Sequence, residues 1–303
     1  MANVLMVGSV ALDSVETPHG KVDRALGGAA TYAGTAASFF TGVQAVGVVG
    51  DDFDPTHLEF LRSRGVDTAG IEIIEGGQTF WWGGVYSADM NSRETLFTHL
   101  NVFENFQPKL PEAYRQTPYL FLANIHPALQ LDVLAQAEGA KFIGLDTMNL
   151  WIDITPDLLR QVVAKVNAIF LNDEEVRMLT GEHNLVAAGR KLLTMGPSVA
   201  VVKKGEHGAL MFTADGLFAA PGFPLETVTD PTGCGDCFAG GFMGYLAGRE
   251  DLSESSLRRA VIYGSVVASY NAEDFSLDRL RTLSEEEVDL RFEQFWQLTH
   301  FER

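Results

Sequence analysis

The chain has 303 residues, 46% hydrophobic and 20% charged, which is enough for one large α/β domain with a smaller appendage. Its 40 acidic and 22 basic residues give a formal net charge of −18, and that balance excludes a polyanionic partner such as nucleic acid, which needs clustered Lys and Arg. A small anionic ligand stays open, because backbone N–H groups at a single site can hold it.

The opening residues, MANVLMVGSVALD, lack the basic segment and long apolar run of a secretory leader, and no apolar stretch is long enough to span a bilayer. The expectation is a cytoplasmic protein with no membrane partner. Cys234 and Cys237 are the only cysteines, too few and too close for a disulfide scaffold.

In chain order, strands are predicted at VLMV (4–7), AVGVV (45–49), YLFL (119–122), FIGL (142–145), AIFL (168–171) and VAVV (199–202). Amphipathic helices fall between them at 54–64, 128–138, 156–166, 173–180 and 184–195. Continuous apolar strands alternating with helices indicate a doubly wound, mostly parallel sheet with helices on both faces. No repeat or linker divides the chain, so residues 1–303 read as one domain. The stretch 70–107 breaks the rhythm: IEII, TFWWGGVY and TLFTHL are separated by turn residues, which predicts a small inserted β-sheet, with 14–26 adding a strand or two.

Polar residues stand where the strands end: Asp13, Asn124, Asp146 and Asn172. Each alone is as well explained by helix capping. Together they favour a ligand site at the carboxyl ends of the strands.

Residues 230–248 read DPTGCGDCFAGGFMGYLAG. Asp230, Pro231 and Gly233 mark a tight turn, and a buried helix is predicted from about Gly235 to Ala247, stopped by Gly248. Gly233, Cys234 and Gly235 leave the N–H groups at its start bare, an anion site suited to charge developing on a transferred phosphoryl group. Asp236 in the first turn can then take a proton from an attacking hydroxyl. There is no G-x-x-x-x-G-K-[ST], and Phe238 occupies the third-glycine position after Gly233 and Gly235, so the P-loop and dinucleotide fingerprints both fail.

DPTGCGD (230–236) resembles the D-T-x-G-A-G-D signature of the ribokinase, or PfkB, family of carbohydrate and nucleoside kinases. VGSVALD (7–13), LGGAATYAG (26–34) and VGVVGDDF (46–53) resemble its substrate-side segments, so the likeness covers nearly the whole chain. The resemblance implies a ribokinase-like fold with a β lid, and ATP-dependent transfer of the γ-phosphate to a hydroxymethyl group of a small sugar. A nucleoside acceptor is the alternative. Asp236 is then the base, with Gly233, Cys234 and Gly235 forming the anion hole. Asp13, Gly27, Gly28 and the residue at Tyr32 contact the substrate. Asn172 and Glu175 match N-x-x-E, which organises Mg²⁺ and the ATP phosphates, Glu175 through water. Lys203, Gly205 and Gly208 lie along the nucleotide, with Thr232 and Ser265.

The chain departs from the family pattern in three places. Tyr32 stands where Asn is common, and Cys234 replaces Ala. Ser265 replaces an Asn near adenine and lacks the usual following Gly, which weakens the case for a monovalent-cation site. The insert is rich in aromatics, including Phe80, Trp81, Trp82, Tyr86 and Phe97, and alternation sends Trp81 and Trp82 to opposite faces. One face is expected to cover the substrate and the other to form a homodimer; a purely local core is the plainer explanation. A non-catalytic relative would have lost the base or the glycines, and both are present. Zinc on Cys234-x-x-Cys237 lacks further ligands at suitable spacing. The same spacing at a helix start suggests lowered thiol pKa values and sensitivity to oxidants, against the simpler explanation of small buried residues chosen for fit.

Overall fold

The structure, a computed structural model, describes residues 2–302. The strands of the first half are β1 (Val4–Val7), β2 (Ala11–Thr17), β3 (Gly20–Gly27), β4 (Val43–Gly50), β5 (Val66–Ile74), β6 (Phe80–Tyr86) and β7 (Arg93–His99). Then follow β8 (Tyr119–Leu122), β9 (Phe142–Asp146), β10 (Ala168–Asn172), β11 (Val199–Lys203), β12 (Ala209–Thr213) and β13 (Gly216–Ala220). Helices α1 (Ala29–Ala37) and α2 (Pro55–Ser63) come early. The middle of the chain supplies α3 (Pro127–Gln136), α4 (Asn149–Ile154), α5 (Pro156–Val163), α6 (Asp173–Thr180) and α7 (Leu185–Leu193). The end supplies α8 (Cys234–Arg249), α9 (Glu254–Asn271), α10 (Asp278–Thr282) and α11 (Glu285–Thr299).

Nine strands form the large sheet, in the order β13-β12-β11-β10-β9-β8-β1-β4-β5, parallel except for the β11–β12 and β12–β13 pairs. Because successive side chains leave a strand on opposite faces, each buried strand feeds two cores. Val4, Met6, Phe121, Phe170 and Val201 meet α1, α8 and α9 through Ala33, Phe242 and Val266. Leu5, Val7, Leu120, Ile169 and Val202 meet Val133, Leu159, Val176 and Leu192 of α3, α5, α6 and α7 on the other face. Each such side chain contributes about 1.5–3 kcal/mol on burial, so alternation along the strands stabilises both helical layers at once. Among the described residues no helix is long and apolar enough to cross a membrane.

The six predicted strands and the helices between them are present; the inserted sheet has different bounds. The small sheet has the order β3-β2-β6-β7, so it draws on residues 11–27 and 80–99. Ile71–Ile74, expected in the insert, instead finish β5, which pairs parallel with β4 at the edge of the large sheet. Residues 101–105, inside the expected insert, form a 3-10 turn. Gly248 does not stop α8. It lies inside the helix, where an added Cβ would sit 2.5 Å from the Phe40 carbonyl oxygen, and the chain turns out of α8 at Glu250 with φ 52°. Gly240 and Gly244 meet Ala33 and Ala37 of α1 in the same way, at 2.1 and 2.6 Å. The stripe serves helix packing, not capping.

Strand order decides where a ligand can sit. From β1 the chain winds outward through β4 and β5, and from β8 outward the other way, so the order reverses between β1 and β8. Loops diverge at such a point and open a crevice at the carboxyl ends of the strands. The two strands pack tightly there: a Cβ on Gly8 would lie 2.6 Å from that of Ala123.

Candidate active site

The ends of neighbouring strands place Lys203 (β11), Asn172 (β10) and Asp146 (β9) in one row, with Asn124 just beyond β8 and Asp13 on β2 after β1. Gln130, fully buried, donates to the carbonyls of Ala123 and Asp146 at 2.9 and 3.2 Å and so ties the ends of β8 and β9 together. The N-terminus of α8 faces this row.

The loop before α8 is built by local chemistry. Asp230 is fully buried, and its carboxylate accepts from Thr232 N–H at 2.9 Å and Ser276 N–H at 3.2 Å. Gly233 has φ 75°, and any Cβ there would strike the Tyr32 ring at 2.3 Å. Glycine is required twice over, by the backbone and by the ring beneath. The expected anion hole is partly corrected: Cys234 N–H is already spent on the Pro231 carbonyl at 3.2 Å. Among the described residues, the N–H groups of Gly233, Gly235 and Asp236 have no acceptor, and these three are available to an anion.

Lys203 is no surface charge. Its side chain is 16% exposed and its Nζ donates to Asp146 Oδ2 at 2.8 Å. Asp146, which the sequence marked only as a strand-end residue, also accepts from Thr147 N–H at 2.8 Å. Gly235 makes room for this lysine, since a Cβ there would lie 3.1 Å from Nζ. Asn172 and Glu175 form a capping box on α6: the Asn172 side chain accepts from Glu174 and Glu175 N–H, and the Glu175 carboxylate accepts from Asn172 N–H at 2.8 Å. The capping explanation of N-x-x-E therefore holds. The same Glu175 carboxylate also interacts with the charges of Lys203, Asp146 and Asp236.

Burial dominates the electrostatics. It pushes Asp236 up to about 7, with Asp146 adding to the rise while Lys203 and Arg93 oppose it. Glu175 rises to about 7 by burial against the pull of Lys203. Lys203 is pulled down by burial, but Asp146 and Glu175 outweigh that and leave it raised. Asp13 is lifted to about 7 by burial and by Asp230 and Asp236, while the Gly28 N–H and Arg93 hold it back. Three acids, Asp146, Glu175 and Asp236, around one lysine form a site that favours added positive charge.

Asp13 keeps its place through Gly27, where a Cβ would fall 2.1 Å from its Oδ2, and through Gly28, which has φ 95° and begins α1. Tyr32, expected against the substrate, is 2% exposed and packs under Gly233; its hydroxyl has no partner among the described residues. Gly205 and Gly208 both have positive φ, 54° and 82°, and shape the loop after β11. Ser265 is buried in α9, next to Gly264, where that helix packs closely on α8.

Burial favours the simpler explanation of the two cysteines. Burial pushes Cys234 up to about 12 and Cys237 well above its ordinary value, despite their place at a helix start. Both are free, and Cys234 Sγ lies 3.5 Å from the Ala268 carbonyl oxygen. Desolvation opposes the helix dipole here and favours the protonated thiols.

The small sheet crosses the crevice. Trp82 pairs with Asp13 across β2–β6, so the two share a face, and Tyr86 lies four residues further along that face. Thr232 Oγ1 donates to Tyr86 OH at 3.2 Å, and Asn91 in the β6–β7 turn donates to Glu206 Oε1 at 3.3 Å. Arg93, at the start of β7, lies over the Trp82 ring at 4.8 Å and beside Tyr86. Nothing local in the sequence marks Arg93. The opposite face carries Trp81, bonded to Ser14 Oγ at 2.9 Å, with Phe97 and His99 packed against it.

A carboxylate at a bare helix N-terminus, a second carboxylate across the crevice and a lysine between acids make up what a phosphotransferase with an alcohol acceptor requires. The model of the pfkB family of carbohydrate kinases matches residues 1–279, and the chain belongs to that family: it is a kinase of sugars or nucleosides that uses ATP. It is 31% identical to the cytidine kinase of Thermococcus kodakarensis over 278 residues, 86% of this chain and 95% of that protein. It is 26% identical to the ATP-dependent ribose-1-phosphate kinase of Halopiger xanaduensis over 81% of this chain and 79% of that one. The crystal structure of the Methanocaldococcus jannaschii nucleoside kinase, a member of the ribokinase family, superposes with a TM-score of 0.77, covering 97% of this chain and 99% of that one at 19% identity.

Proposed function

We propose that the protein transfers the γ-phosphate of ATP to the primary hydroxyl of a nucleoside, with Asp236 as the base, acting in the cytoplasm where ATP is found. The observation that carries the chemistry is Asp236: partly buried at the start of α8, beside free N–H groups, with its pKa raised to about 7, chiefly by burial. A base poised near the working pH accepts a hydroxyl proton most effectively as the bond to phosphorus forms. The Gly233, Gly235 and Asp236 N–H groups would meet charge on the phosphoryl oxygens, and Lys203 would neutralise more of it. Asn172, Gly205, Gly208, Thr232 and Ser265 complete the nucleotide side.

Mg²⁺ suits this acid-rich donor set. Glu175 and Asp146 would hold it, Glu175 through water, since the ion needs few protein ligands when phosphates supply the rest. Bound there, it neutralises phosphate charge during transfer.

Two features favour a nucleoside over the free sugar expected first, and over a phosphorylated one. Asp13 and Asp236 line the acceptor side with carboxyl groups, which suits hydroxyl donors better than a sugar phosphate. Trp82 and Tyr86 offer flat surfaces above Asp13 for a base to stack on. The likeness to a cytidine kinase points the same way. Gly27 and Gly28 then bound the ribose side. ADP release measured across cytidine, uridine, adenosine, ribose, fructose, myo-inositol and ribose 1-phosphate tests the assignment. The highest kcat/KM is expected for a nucleoside; a clear preference for a free sugar or a sugar phosphate overturns it.

A further inference from the structure

We infer that Tyr32 is a positioning residue: its ring is the prop beneath Gly233 that holds the free N–H groups at the start of α8 in line with the acceptor. The inference rests on α8 carrying the anion site and the base.

α1 and the residues after it lie against α8 in backbone contact. A Cβ on Gly248 would meet the Phe40 carbonyl oxygen at 2.5 Å, one on Gly244 the Cα of Ala37 at 2.6 Å, and one on Gly240 the Ala33 carbonyl oxygen at 2.1 Å. Towards the site the contact changes character. Cys237 Sγ donates to the Tyr32 carbonyl at 3.7 Å. One turn earlier a ring, not backbone, fills the space: a Cβ on Gly233 would lie 2.3, 2.4 and 2.5 Å from three atoms of the Tyr32 ring. Because the two helices are already in contact below, neither can settle to absorb a change at this end. The position of the ring is passed directly to the turn.

That turn carries the chemistry. Gly233 has φ 75°, its N–H is one of the three left free for an anion, and Asp236 follows three residues later. Tyr32 is itself anchored on the acceptor side. Its N–H donates to the Gly28 carbonyl at 3.0 Å, and Gly27 abuts the Asp13 carboxylate. One side chain therefore spans from the acceptor-side turn to the phosphate-side turn, and it does so by shape. The hydroxyl has no partner among the described residues, and at 2% exposure no substrate group reaches it. Tyr32 acts through Gly233 without touching either substrate.

The test compares Tyr32→Phe, which keeps the ring, with Tyr32→Leu, which does not, using ATP and the acceptor with the highest kcat/KM. Tyr32→Phe should hold kcat within about twofold and should not lower the melting temperature, since it removes only an unpaired buried polar group. Tyr32→Leu, assayed well below its melting temperature, should lower kcat about tenfold or more, the scale of a small displacement at a catalytic contact, with both KM values changed less than about threefold. A tyrosine with only a structural role would lower the melting temperature in Tyr32→Leu and leave the kcat of the folded protein intact. That result overturns the proposal, as does a Tyr32→Phe that loses as much activity as Tyr32→Leu. Should Tyr32→Leu fail to fold, Tyr32→Met is read by the same criteria. A free sugar as best acceptor removes the nucleoside assignment and near-normal turnover in Asp236→Asn removes the base, while the Phe and Leu comparison still decides whether the ring supports the anion site.

Discussion

At the scale of single residues, this site is made by desolvation. Asp236, Glu175 and Asp13 all sit near 7 because they are buried, and each therefore binds a proton more readily folded than unfolded. The stability this gives is present below pH 4, the ordinary carboxylate range, and is lost as pH rises through 7. Activity runs the other way, because the base works only when ionised. The melting temperature of the ligand-free protein should therefore fall between pH 5 and pH 8, while kcat/KM rises with an apparent value near 7 that belongs to the coupled acids together. Asp13→Asn should flatten part of the melting curve and cost activity. A melting temperature that rises across this range would contradict the burial argument. Gly27→Ala probes the same region from the backbone: its Cβ has no room beside Asp13, so acceptor KM should rise about tenfold, on the scale of a displaced catalytic contact, with ATP KM unchanged.

Some of these residues were legible in the sequence, and the reason is locality. DPTGCGD carries the turn, the bare helix start and the proposed base in seven consecutive residues, so reading it needs no tertiary information. Cys234 and Cys237 misled because the helix dipole is visible in sequence while burial is not. Arg93 and Asp146 escaped because their neighbours depend on which strands lie side by side.

At the scale of elements, the six predicted parallel strands were readable as short apolar runs bounded by turn residues. The edges were not. β12 and β13 extend the sheet as an antiparallel hairpin, and Ile71–Ile74 join β4 rather than the small sheet, because edge pairing is decided by neighbours distant in sequence. α8 shows how packing and chemistry share one helix. Its Gly240, Gly244 and Gly248 stripe lets α1 approach closely, which sets the height of Asp236 above the strand ends. Gly240→Ala forces a Cβ to 2.1 Å from the Ala33 carbonyl oxygen. Overpacking of this kind costs about 1–3 kcal/mol, so a drop in melting temperature of roughly 3–10 °C is expected, with activity lost alongside. An unchanged melting temperature would show that α1 and α8 have slack between them.

At the scale of the whole molecule, the small sheet lies over one crevice with one face and leaves Trp81, Phe97 and His99 on the other, beside Leu96, which is 57% exposed. We propose that this outer face pairs two copies. Trp82→Ala should raise acceptor KM and leave the oligomer intact, whereas Leu96→Lys should weaken the dimer and spare KM. Sedimentation as a monomer at every concentration removes the dimer. The fold, the acid-rich row of strand ends and the bare start of α8 all converge on one claim, that Asp236 takes the proton from the acceptor hydroxyl. Single-turnover phosphoryl transfer from ATP to the best nucleoside acceptor, in Asp236→Asn beside the unaltered protein, tests it most directly. Transfer should slow by about 10²-fold or more while ATP affinity changes less than twofold, since only the proton acceptor is lost; near-normal transfer in Asp236→Asn would contradict the account.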